Sequence, residues 1–158
     1  MCRGEAKAVE PRLLSFLYAF NVQKDYFECH EYGESLWLDS GRPVVLKGLI
    51  QAAVCLYHLY NGNVRGGWRM WQAGRQYLMD AGSIYEGIDM ENLRQQIDKV
   101  FQHVPAEWRF ETKSPQQVQA LNLPQVKIQG TQPDFELKVQ QGKPICSNNP
   151  YTEQSEEN

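Results

Sequence analysis

At 158 residues the chain has the length of one domain with room for an appended segment. Its net charge of −3 offers no basic excess to displace counterions from a nucleic-acid backbone, which argues against nonspecific DNA or RNA binding. The most apolar stretch, Leu49 to Tyr60, is interrupted by Gln51 and His58 and is too short to span a bilayer.

Pro11 suits the first turn of a helix running to about Asn21, with Leu13, Leu14, Leu17, Tyr18 and Phe20 as its apolar face. Asp25 is placed to cap a second helix, with Glu28 at capping-box spacing, and Asp39-Ser40-Gly41 ends it. Pro43 opens a third helix that closes at Asn61-Gly62-Asn63. A fourth follows from Val64 to Asp80, and Gly66 and Gly67 near its start predict close approach to a neighbouring helix, since glycine there otherwise only costs stability. Asp89 caps a fifth, from Met90 to His103, stopped by Pro105. Short connections predict an all-α antiparallel bundle of about five helices over residues 10–110. Residues 111–158 read as an extended Gln/Pro-rich tail, its composition beyond Gly142 favouring disorder. Within it, Val126-Lys127-Ile128 and Phe135 to Val139 alternate, and read either as strands or as extended segments lying on the helical body.

The second helix holds the chemistry. His30, Glu34 and Trp37 are four and three residues apart and share one face with Phe27, which predicts an inward-facing, partly buried His–Glu pair bracketed by aromatics. A buried carboxylate needs a cation, a metal or hydrogen-bond donors. Gln51 and His58 stand out on the otherwise apolar third helix. Counting at ~1.5 Å per residue from the intervening turn puts His30 about level with Gln51, and His58 level with Tyr26. A His30–Glu34–His58 metal site therefore needs a different stagger or a helix crossing. Glu31 points away from His30 and is expected to face solvent or to pair with Arg65 or Arg69. Helix two carries five acids and no base, whereas residues 63–79 carry three arginines and no acid, so inter-helix charge pairing is the simple expectation and an acidic face for a basic partner the other. Cys29 and Cys55 read as core residues rather than as part of a zinc site, Trp68 and Trp71 as core packing, and Asn63 as a turn residue and cap for helix four.

Phe20-Asn21, Phe27-x-x-His30-Glu31-x-x-Glu34-x-x-Trp37, residues Gly48 to Ala53, Tyr57-His58 and Gly62-Asn63-x-x-Gly66 together resemble a bacterial and archaeal family known as domain of unknown function 309, with an HxxxExx(W/Y) signature. The resemblance covers residues 12–80, with Gly67 where a residue such as Ala is usual. It implies an all-α bundle and metal binding at the signature, without an activity.

The candidate site is thus His30, Glu31, Glu34, Trp37, Gln51, His58 and Asn63. Three functions compete for it. One is a scaffold or interaction protein in which the His–Glu pair, pinned through Gln51, sets helix register. The second is a divalent-transition-metal protein or hydrolase using His30, Glu34 and His58. The third is a small-ligand sensor in which Gln51 and His58 orient a polar ligand. No nucleophile elbow, phosphate-cradling loop or dinucleotide fingerprint is present, and no cofactor beyond such a metal is expected. The partner is expected to be a protein, a second copy included, or a small molecule. The widely spaced cysteines, Cys2, Cys29, Cys55 and Cys146, and the charged residues 1–10 point to the cytoplasm.

Overall fold

The computed structural model describes residues 9–144. The expected disorder lies almost entirely on residues 145–158, outside the described residues, as do Cys2 and Cys146. Helix α1 (Pro11–Tyr18) leads into a π-helical turn (Ala19–Gln23), then come α2 (Tyr26–Asp39), α3 (Val44–Tyr60) and α4 (Val64–Asp80). A small hairpin, β1 (Ile84–Tyr85) and β2 (Ile88–Asp89), precedes α5 (Met90–Gln102). Beyond these lie a 3₁₀ turn (Ala106–Phe110), α6 (Pro115–Gln119) and α7 (Phe135–Gln141).

The starts and stops follow local chemistry. Asp25, Asn63 and Asp89 each accept a hydrogen bond from the backbone N–H three residues on, capping α2, α4 and α5. Gly41, Gly62 and Gly82 take positive φ just past α2, α3 and α4. The hairpin turns on Glu86 and Gly87, both at positive φ, as a tight β-turn requires.

Successive helices pack antiparallel, and α3 is the central one. Its Leu46, Leu49, Ala52, Ala53, Cys55, Leu56 and Leu59 are buried, with α2 on one flank and α4 on the other. The close approach expected of the paired glycines belongs to Gly67, where a Cβ would come within 2.8 Å of the Cys55 carbonyl oxygen. Gly66 serves the cap instead: a Cβ there would collide with the Asn63 side chain. At the α4–α5 contact Asp98 receives hydrogen bonds from the Trp71 indole (2.8 Å) and from Arg75 (2.9 Å), so the arginine of helix four that finds an acid finds it on α5.

A division at residue 111 does not divide the core. Val118, Val126, Ile128, Phe135 and Val139 are buried in the same apolar cluster as the bundle. Residues 126–128 are an extended strap on the helical body, held by two side-chain amides. Asn21 bonds both the N–H (2.8 Å) and the C=O (2.9 Å) of Ile128. Gln96 does the same for Lys127, at 2.9 and 2.7 Å. Downstream, Gln129 accepts from Asp89 N–H, and Gly130 bridges to Ile88. The alternating run 135–139 is not a strand: Phe135 and Val139 are one helical turn apart and buried, while Leu137 between them is 69% exposed.

Candidate functional site

The inward stripe of α2 is Tyr26, Cys29, Gly33 and Leu36. Gly33 decides this rotation. A Cβ there would stand 2.7 Å from Ile50 Cγ1 and 3.4 Å from the Phe16 ring, so α1 and α3 close against the helix where it has no side chain. The stripe carrying Phe27, His30, Glu34 and Trp37 is thereby turned to the flank, correcting the expectation that it faces inward. Phe27 is 52% exposed, and the His30 and Glu34 side chains 35% and 49%. His30 stands between its neighbours, with Nδ1 3.3 Å from Glu31 and Nε2 3.6 Å from Glu34. Glu31 is therefore solvent-facing yet beside His30, and among the described residues neither Arg65 nor Arg69 forms an ion pair with it.

His30 and His58 open on one shallow recess of about 200 Å³, together with Tyr26, Phe27, Val54 and Tyr57. The helical count that set His58 level with Tyr26 agrees with this recess, but Gln51 does not line it. Gln51 packs toward α4, where a Cβ on Gly74 would lie 3.0 Å from its own, and its Oε1 is buried without a partner. The pinning of His30 and Glu34 through Gln51 is therefore absent. Among the described residues no three His, Cys, Asp or Glu side chains gather as a ligand set, so His30, Glu34 and His58 do not fit the metal centre expected of them.

Asn63 joins His58 to the start of α4. Its Oδ1 accepts from Gly66 N–H (3.0 Å), so its Nδ2 donates to His58 Nδ1 at 3.4 Å, which leaves the neutral imidazole's proton on Nε2. Trp37 lies at the other end of the flank. The Arg42 guanidinium stands 5.4 Å from its ring centre and Lys47 Nζ 5.7 Å, with Lys47 also 5.3 Å from the Tyr77 ring. Lys47 so ties α2 to α4 across α3. The Trp37 indole nitrogen is buried without a partner.

A ridge of two aromatic rings was not foreseen in the sequence. Phe27 and Tyr57, centroids 5.9 Å apart, separate the histidine recess from a larger one of about 530 Å³ that includes Lys24, Tyr60, Asn61 and Gln125. The exposed ring of Phe27 belonged to an apolar stripe and so read as core. Gln125 arrives from the strap, and nothing local announces it.

Charge pairing between α2 and α4 is likewise absent among the described residues: Glu28, Glu31 and Glu34 have no lysine or arginine within ion-pair distance. Burial, with Asp25 and Glu31 nearby, holds the Glu28 carboxyl above its ordinary range. The native state then binds this proton more tightly than the unfolded chain. The charged carboxylate therefore opposes folding at neutral pH, and the penalty fades as pH falls through the raised pKa. Glu28→Gln is expected to be more stable than the parent at pH 7, with the difference shrinking at acid pH, as thermal melts across pH will read.

Comparison with known proteins places these residues. A family model described as "Domain of unknown function (DUF309)" matches residues 13–70, which include the flank of α2, the histidine recess and the Asn63 cap. The chain is also similar to the "Uncharacterized protein YpuF" of Bacillus subtilis (strain 168), 30% identical over 96 residues. That alignment covers 58% of this chain and 55% of the relative, so the chain spans about half the length of the curated protein it matches. No solved structure matches. No helix among the described residues is long and apolar enough to cross a membrane. The similarity to that family is thus confined to residues 13–70.

Proposed function

We propose that the chain is an interaction module, and that the flank of α2 with the Phe27–Tyr57 ridge is its binding surface. One observation carries this reading. Two aromatic rings, Phe27 at 52% and Tyr57 at 38% exposure, stand in the open beside the carboxylates of Glu31 and Glu34, which among the described residues have no cationic partner but His30. Exposed rings next to unpaired acids gain little within the chain itself and much from a partner that covers the first and neutralises the second. The metal and hydrolase alternatives lose support because the donors do not converge. The sensor alternative loses support because Gln51 and His58 do not share a recess.

A photo-crosslinking phenylalanine analogue placed at Phe27, and at the exposed Leu137 on α7 as control, tests this in cells. A discrete protein adduct at position 27 and not at 137 is expected. The same background at both positions would overturn the reading.

A further inference from the structure

Phe27, Glu31, Glu34 and Leu38 are spaced four, three and four residues along α2, and all four face solvent. Phe27 and Leu38 are 52% and 50% exposed, and the side chains of Glu31 and Glu34 are 55% and 49% exposed. At that spacing they form one straight row of about 16 Å along the helix, apolar at both ends and acidic in the middle. Resting on the interaction reading above, we propose that the occupant of this row is an amphipathic helix of another protein, bearing two apolar anchors that bracket a pair of Lys or Arg residues.

Three arguments select that partner. A row with helical repeat is matched along its length by a second helix, whose side chains recur at the same interval. The intervals read the same in both directions, so parallel and antiparallel partners alike meet the acids with their central pair. The same property works against a second copy of this chain. Pairing α2 with itself sets Glu31 against Glu31 or against Glu34, and like charges in contact are repelled. The chain's own residues 145–158 are no better matched, because they contain Glu153, Glu156 and Glu157 and no base. The histidine recess lies beside the Phe27 end of the row and gives the partner's anchor there a place to sit, against Val54 and Tyr57.

The experiment uses the full chain and two helical peptides of identical composition. One carries apolar residues at the first and twelfth positions and lysines at the fifth and eighth; the isomer carries the lysines on the opposite face. Titration at fixed salt is expected to show at least tenfold tighter binding of the first peptide. Glu31→Lys combined with Glu34→Lys should abolish that preference and transfer it to a peptide with glutamates in place of lysines. Phe27→Ala with Leu38→Ala should weaken binding of the patterned peptide while leaving the melting temperature close to the parent's, since both residues are exposed. Equal affinity for the two isomers overturns the proposal. So does a parent that sediments as a dimer and is dissociated by Phe27→Lys, which would make a second copy the occupant. A crosslinked partner that meets position 27 through an acidic or extended segment would defeat this proposal and leave the interaction reading standing, whereas absence of any adduct defeats both.

Discussion

Replacing Asn21 with leucine is expected to destabilise the protein by about 3 kcal/mol, lowering its melting temperature by roughly 6–12 °C. Asn21 is the buried polar side chain of the described core, and both ends of its amide are engaged with Ile128. Leucine has the same branched heavy-atom shape, though it is bulkier, and it leaves the Ile128 N–H and C=O facing hydrocarbon. The cost is then the desolvation of two backbone groups, not merely the loss of two hydrogen bonds. Asn21→Asp separates this effect from packing. Its carboxylate still accepts from Ile128 N–H, but it presents a negative charge to the Ile128 carbonyl. Protonation restores a donor, so the aspartate variant should recover part of its deficit as pH falls, and the leucine variant should not. Thermal melts of both between pH 4 and pH 8 decide the matter; a leucine variant within 2 °C of the parent would show that the clamp contributes nothing.

Gly62→Ala is expected to cost at least as much, about 3 kcal/mol or more. Gly62 has φ 92°, and a Cβ on it would overlap the carbonyl of Lys113, whose N–H donates to Gly62 O at 2.8 Å. The obstacle is backbone, which cannot swing aside as a side chain can. Gly41→Ala is the matched control. Its φ is 84°, but nothing lies within 4 Å of the added carbon, so it measures conformational strain alone, about 1 kcal/mol. Urea unfolding midpoints should fall much further for Gly62→Ala than for Gly41→Ala. Equal shifts would mean that residues 111–113 yield freely.

The five principal helices were legible because each carries its own punctuation. Asp25, Asn63 and Asp89 cap, and Gly41, Gly62 and Gly82 stop, by interactions within a few residues that any tertiary context preserves. The rotation of α2 was not legible. Its apolar residues fit two stripes about 100° apart, and the choice was made by Gly33, a position whose meaning is the closeness of two other helices. The His30–Glu34 pair was found where a pattern of four and three placed it, but its exposure depended on that rotation. The Phe135–Val139 segment failed for a different reason: five residues are too few to tell a period of two from one of 3.6. The strap was legible as an extended segment on the helical body, one of two readings of Val126-Lys127-Ile128, but its anchors were not, because its hydrogen bonds run to Asn21 and Gln96, far away along the chain.

That distance bears on how the molecule is made. Asn21 and Ile128 are 107 positions apart, and α7 seats against α1, where a side chain on Gly142 would collide with the Leu14 carbonyl. During synthesis the first helix therefore leaves the ribosome with its outer side uncovered, and the Asn21 amide in the turn after it stays in water until Ile128 has followed. Closing so large a loop is the slow kind of folding step, and a prematurely stopped chain ending near residue 110 exposes the apolar bed of Val126, Ile128, Phe135 and Val139. Quality control that reads exposed hydrocarbon thus has a simple mark by which to tell an unfinished copy from a finished one.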